Sequence, residues 1–112
     1  MEKLKQFLID QGFTIYGNSL RAEHNVIDWY AGRRLKDANP CETNDHKVSL
    51  IIYPHEFGID DRRFRSVECD ITGEAKSIWF KLQAYSLKPE ELIERLDEVE
   101  AGLLKAWNAV SE

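Results

Sequence analysis

The last third of the chain places a strand directly before a long amphipathic helix, and this pair constrains the fold more than any other segment. The aromatic run from Ile78 to Tyr85 is typical of a β-strand. From Pro89 to Val110, apolar residues recur at helical spacing, which predicts a helix with one apolar side. Pro89 suits the first turn of that helix, because this position needs no backbone N–H donor. The pair predicts a sheet with a helix packed on it.

Further elements are predicted upstream of this unit. Apolar residues at helical spacing indicate a first helix from Lys3 to Gln11, which Gly12 ends. Aromatic, β-branched or alternating apolar residues indicate four strands, at Phe13–Tyr16, Val26–Arg34, Val48–Tyr53 and Ser66–Thr72. A final strand is expected from about Lys76 to Tyr85. The predicted order is therefore a helix, five strands and a helix.

The expected breaks between the strands predict how the sheet is connected. We expect Leu35 to His46 to form a loop, Pro54 to end the third strand, residues 55–63 to form a polar loop, and Gly73-Glu74 to make the last turn. Short connections favour an antiparallel meander. The prediction is one α+β domain over residues 1–112, with four or five strands and both terminal helices on one face of the sheet.

Composition narrows the classes of function. Twenty acidic residues against 15 basic ones give a net charge of −5, which opposes non-specific binding to nucleic acid. No segment approaches the ~20 apolar residues of a membrane span, and the first residues lack the apolar core of a signal peptide. The sequence therefore predicts a cytoplasmic protein that does not bind to a membrane.

Metal and thiol chemistry receive little support from the spacing of the residues that could perform them. Cys41, His46, His55 and Cys69 could each bind a metal, but they lack the closely paired spacing of structural zinc ligands. Cys41 with His46 and Asp45 could supply a nucleophile and base, although a shared loop does not hold such groups in place. No phosphate-binding, hydrolase or metalloprotease motif occurs. We expect no catalytic residue, metal or cofactor.

The last helix has an apolar arc that is wider than one neighbouring element needs. Trp107 widens the main apolar stripe, Ile93 and Leu104 extend it further, and Glu100 lies inside the arc. In one interpretation, Ile93 and Leu104 pack within the monomer and Glu100 meets a basic residue. In the other, all three contact a second protein chain, which includes a homodimer through this helix.

The last strand offers a second candidate surface. Trp79, Lys81, Gln83 and Tyr85 share one face, and aromatic and cationic residues on an open sheet can stack single-stranded bases. Local positive charge for this alternative comes from two clusters, Arg33-Arg34 and Arg62-Arg63 with Arg65. Ordinary cross-strand packing explains the same residues.

Several strings resemble small phage and prophage proteins, and the similarity that they indicate extends over most of the chain. They are Asp28-Trp29-Tyr30-Ala31 with Arg33-Arg34, Cys41 with Asn44-Asp45 and Lys47, Trp79 to Ser86, Pro89 to Leu92, and Ala106-Trp107-Asn108. The resemblance implies a phage accessory protein that acts in the cytoplasm of a bacterial host. Such a protein would bind and inhibit one host protein, for example a defence protein. The leading hypothesis is thus non-enzymatic protein binding, through Trp79, Lys81, Tyr85, Ile93, Glu100 and Leu104. The alternative is a single-stranded nucleic-acid-binding protein.

Overall fold

Five strands lie side by side in the order in which they occur in the chain. The computed structural model describes residues 1–17, 27–41 and 48–112, without the side chains of residues 59 and 84–86. The sheet is antiparallel throughout, in the order β1-β2-β3-β4-β5. The elements are α1 (Glu2–Asp10), β1 (Thr14–Gly17), β2 (Trp29–Arg34), β3 (Ser49–Ile59), β4 (Arg62–Ala75), β5 (Ile78–Leu87) and α2 (Pro89–Ser111). The predicted α+β fold is confirmed.

One face of the sheet forms the core with both helices. Ala31, Ile52 and Cys69 lie in one cross-strand row and are fully buried. The helices contribute Leu4 and Leu8 from α1, with Leu92, Leu96, Leu103 and Trp107 from α2. Since side chains alternate along a strand, the residues between the core positions point to the other side. We call that side the open face.

The strand β3 continues beyond Pro54 to Ile59, and β4 begins at Arg62. The predictions that Pro54 ends the strand and that residues 55–63 form a polar loop are therefore wrong. Pairing of β3 with β2 stops at Ile52, whereas pairing with β4 runs on to Ile59. Beyond Ile52, β3 pairs with β4 alone among the described strands, and proline is tolerated at such an edge.

The final turn also differs from the expected one. Gly73 lies inside β4, and the turn is made by Lys76 and Ser77, with φ angles of 53° and 63°. Positive φ at both positions is the geometry that matches the twist of a two-residue hairpin. Asparagine and glycine are the usual residues there, so Lys-Ser gave no turn signal. Gly73 instead makes room for the side chains that pack against β4.

The indole of Trp107 lies directly against the backbone of Gly73. A Cβ atom at Gly73 would collide with this ring, at 2.9 Å from Cζ3, and would lie 2.7 Å from the sulfur of Cys41. The absence of a side chain thus lets α2 approach β4 closely. The Trp107 Nε1–H donates to the Asn39 carbonyl oxygen at 2.6 Å, which ties the helix to the loop after β2.

We expect Gly73→Ala to lower the free energy of unfolding by about 1–3 kcal/mol, because the added methyl group overpacks a buried contact. The matched control is Gly102→Ala in α2, where a new Cβ meets nothing within 4 Å. This control should raise stability by about 1 kcal/mol, since alanine favours a helix over glycine. Urea denaturation followed by circular dichroism measures both changes. Equal effects of the two substitutions would show that Gly73 has no special packing role.

Candidate functional site

Three tyrosine rings form a ladder across the open face. Tyr16 stacks on Tyr30 with ring centroids 5.2 Å apart, and Tyr30 stacks on Tyr53 at 5.5 Å. These separations follow the spacing of neighbouring strands, about 4.8 Å. The rings therefore turn their faces toward one another and present their edges away from the sheet. We call Tyr16, Tyr30 and Tyr53 the tyrosine ladder.

Trp79 and Lys81 lie on the same face at the opposite edge of the sheet. Trp79 is cross-strand partner of Glu74 and is 65% exposed, the largest value among the exposed large apolar residues. The Lys81 ammonium lies 3.7 Å from an Asp70 carboxylate oxygen. Tyr85 belongs to β5, but its side chain lies outside the described residues. The alternation predicted from the sequence thus places Trp79 and Lys81 on the open face.

Asp70 differs from the solvated position that the alternation of β4 predicts. It points to the open face, in the row of Ile51 and Gln83, yet it is only 2% exposed. A buried carboxylate requires compensating interactions, and the Lys81 ammonium supplies one of them. The open face therefore carries a packed polar centre between the tyrosine ladder and β5.

Glu100 of α2 forms an ion pair with Arg33 of the same chain. The guanidinium of Arg33 also donates to the Gln11 carbonyl oxygen and lies over the Phe13 ring, 4.5 Å from its centroid. These contacts correspond to the interpretation in which Glu100 meets a basic residue inside the monomer. The three contacts join α2, β2 and the end of α1 through one side chain.

The two apolar residues that widen the arc of α2 also have contacts within the chain. Ile93 and Leu104 are partly buried and pack against the core cluster. That Ile93, Leu104 and Glu100 contact a second chain stays a prediction.

Ion pairs reduce the positive charge that the arginine clusters offer to a phosphate backbone. Arg63 and Arg65 approach the same Glu56 carboxylate oxygen, at 3.7 and 3.4 Å. Arg33 is engaged by Glu100, whereas Arg34 and Arg62 are exposed. The clusters are therefore less basic than their sequence suggests.

A cleft of about 640 Å³ opens beside β2 and α2. Its lining consists of charged side chains, namely Arg33, Arg34, Lys36, Asp37 and Glu100. Among the described residues, the lining contains no cysteine, serine or histidine that could serve as nucleophile or base. Its chemistry is the binding of charged groups.

The candidate thiol and metal residues do not converge in the described part of the chain. Cys69 lies on the core face, whereas His55, near the tip of β3, lies on the open face. Asp45 and His46 are outside the described residues, so their predicted nearness to Cys41 has no structural description. Within the described residues, no group of three His, Cys, Asp or Glu side chains is placed to hold a metal ion.

The two cysteines differ in reactivity. Burial raises the pKa of the Cys69 thiol to about 12, and the negative charges of Asp70 and Glu68 act in the same direction. Cys41 is only partly buried. Because the thiolate is the reactive form, Cys69 is chemically inert at neutral pH.

Comparison with protein-family models, curated proteins and solved structures found no match. No helix in the described part of the chain is long and apolar enough to cross a membrane. The surface must therefore be interpreted from its own chemistry.

The tyrosine ladder is the part of this surface that sequence reasoning missed. Tyr16, Tyr30 and Tyr53 lie in three separate strands, and only the register of those strands brings the rings together. The signal in the sequence was one tyrosine in each of three consecutive predicted strands.

We expect Glu100→Gln to lower the free energy of unfolding by about 1 kcal/mol, because the partly exposed Arg33 guanidinium loses its charged partner. The control is Glu94→Gln on the exposed side of α2. Thermal unfolding measures stability, and light scattering measures mass. A change of mass without a loss of stability would instead favour contact of Glu100 with a second chain.

A thiol reagent at pH 8 should modify the partly buried Cys41 of the native protein quickly and the buried Cys69 only after unfolding. With a pKa of about 12, roughly one in 10⁴ Cys69 thiols is ionised at this pH. In Cys41→Ser, the fast reaction should disappear. Fast modification of Cys69 in that variant would contradict the buried position.

Proposed function

We propose that this chain is a non-enzymatic protein-binding domain that recognises a partner protein with the open face of its sheet. One observation carries the proposal. Both helices pack on one face, while the opposite face presents the tyrosine ladder at one side and an exposed Trp79 at the other. A folded domain gains nothing in solubility from such side chains, and aromatic surfaces of this kind commonly mark interaction sites.

The composition of the open face supports a protein as the partner. Tyrosine and tryptophan are enriched at the centres of protein interfaces, where they supply large contact areas and hydrogen-bonding groups. Charges of both signs share the face, since Lys81 lies beside Asp70 and Arg34 occupies the end of β2. A face of low net charge does not repel a protein surface of either sign.

Two features disfavour the nucleic-acid alternative relative to protein binding. Base stacking needs an accessible ring face, and both faces of Tyr30 are covered by its neighbours in the ladder. Three of the five arginines in the two clusters, Arg33, Arg63 and Arg65, also have carboxylate partners and lie on the helix side of the sheet, which leaves Arg34 and Arg62 to the open face. Trp79 beside Lys81 remains the part of the face that could stack a base.

The resemblance to small phage proteins extends this proposal to a biological role. The chain would act as an accessory protein in a bacterial host cytoplasm, where its partner is a host protein, and occupation of that protein would inhibit it. A defence protein is the partner class that this role implies. This extension rests on the resemblance alone, whereas protein binding rests on the open face.

Affinity capture with matched surface variants tests the proposal. Wild type, Tyr16→Ser, Trp79→Ser and Ile9→Ser serve as bait in bacterial lysate; Ile9 is an exposed apolar residue of α1. We expect wild type and Ile9→Ser to retain the same stoichiometric protein. Both open-face variants should bind it more weakly, by about 2 kcal/mol for an aromatic residue that contacts the partner.

Two outcomes would overturn the proposal. One is equal capture by all four baits, which would place the interface elsewhere. The other is recovery of nucleic acid in place of protein, with binding that falls steeply as salt rises, which would establish the nucleic-acid alternative.

A further inference from the structure

The outer edge of β5 is a long strand edge that has few of the features that usually prevent pairing, in the part from Ile78 to Ala84. β5 spans Ile78–Leu87 and pairs only with β4 among the described strands. Natural edge strands are commonly short, charged or interrupted by proline. β5 has ten residues, contains no proline, and carries Lys81 as its single charge. Its register with β4 is regular from Ile78 to Ala84 and shifts between Ala84 and Leu87. By contrast, the described part of β1 at the other edge has four residues, Thr14–Gly17.

The beginning of β5 is also apolar on both of its faces. Ile78 is 57% exposed on the core side of the strand, and Trp79 is 65% exposed on the open face. The single charge is compensated within the chain, because the Lys81 ammonium lies 3.7 Å from the Asp70 carboxylate. This edge therefore combines backbone groups available for hydrogen bonds with apolar side chains and little electrostatic repulsion.

We propose that β5 pairs antiparallel with β5 of a second copy of this chain, so that one sheet continues through a two-fold dimer. A symmetric pair of identical strands places residues of the same face opposite one another. In the register centred on Leu82, Lys81 lies opposite Gln83 of the second copy and not opposite its own equivalent. This register avoids like charges at the centre of the new ladder.

The position of α2 is compatible with this pairing. Glu100, Asn108 and Ser111 lie on the side of α2 that contacts β2 and the loop after it. The other side of the helix, turned toward the β5 edge, carries the small exposed residues Gly102 and Ala106 in its C-terminal half. In its N-terminal half this side carries Arg95, whose guanidinium is ion-paired with Glu98 at 3.1 Å. No bulky side chain of the C-terminal half of α2 therefore blocks the approach of a second copy.

The spacing of the two helices in such a dimer agrees with ordinary helix packing. The helix contacts β4 and β5 to a similar extent, so its axis lies above the boundary between them. Adding a strand at the usual separation places the two α2 axes about 10 Å apart. Packed helices have axes about 8–10 Å apart. Pairing of the strands would thus bring the two α2 helices into contact, with Gly102 and Ala106 at their interface.

The short β1 strand explains why a second copy should bind at β5 in a closed dimer. Pairing of β5 with β1 of another copy would extend indefinitely, because each added copy would expose a new edge. The four described residues of β1 offer few hydrogen bonds for such a contact. The two-fold arrangement uses the longer edge twice and closes. The proposed dimer does not depend on whether the open face binds a partner.

Analytical ultracentrifugation over a range of concentrations tests the dimer. Wild type should approach twice the chain mass of 13.0 kDa. Ile78→Lys and Trp79→Lys should raise the dissociation constant by at least about tenfold, since lysine on an edge strand opposes pairing. Lysine at 79 has Glu74 as its cross-strand partner, so the monomer should stay folded. Ile9→Lys, an equivalent change on α1, should leave the dimer intact.

The outcomes separate this proposal from the proposed function. A wild type that stays monomeric at all concentrations overturns the dimer, as does a dimer that both lysine variants retain or that Ile9→Lys abolishes. If the lysine variants unfold, amide exchange of wild-type β5 decides: its protection must rise with concentration as the mass rises. Tyr16→Ser should keep the dimer while losing the captured partner, so either proposal can fail alone.

Discussion

The contact between Trp107 and Gly73 is the constraint on which the rest of the structure depends. It lets the helix α2 lie close against β4, and no other residue type at position 73 would leave room for the indole. The same indole donates to the Asn39 carbonyl oxygen, and the Asn39 N–H donates to the Asn108 side chain at 2.8 Å. Helix, sheet and the loop after β2 are therefore fixed by one buried ring. Because α2 is held on the core face of the sheet, it does not cover the open face.

Sequence patterns were sufficient to predict the elements and the order of the fold. The spacing of apolar residues identified both helices, and the short connections predicted the meander. Errors arose where tertiary pairing overrides a local signal. A proline breaks a strand only where a neighbouring strand needs the N–H donor that proline lacks. Pairing of β3 with β2 ends before Pro54, so no donor to β2 is needed there. Gly73 appeared to be a turn residue, because a sequence does not show that an indole will pack on it.

The candidate surface was predictable only in part, for the same reason. Alternation within β5 placed Trp79 and Lys81 on one face without knowledge of any other strand. The tyrosine ladder depends on the registers of three strands, which no local pattern specifies. The partner of Glu100 was likewise unknown from sequence, since Arg33 is 67 positions away in the chain. Burial of Asp70 on the open face was missed because alternation alone assigns it to solvent.

The open face and the β5 edge would act by different physical means, although Trp79 belongs to both. The face offers side chains, so its specificity depends on the identities of Tyr16 and Trp79. The edge offers backbone N–H and C=O groups, so the strength of its pairing depends on strand length and on the absence of repelling charges.

In a β5-paired dimer the open face would extend across the joint, with a tyrosine ladder on each side of it. Because β2, which carries the middle tyrosine of the ladder, lies three strands from β5 in the sheet order, the centres of the two ladders would lie about 34 Å apart at normal strand spacing. A partner with two equivalent sites at that separation could engage both ladders at once, and the second contact would then form within the complex without the entropic cost of a new encounter.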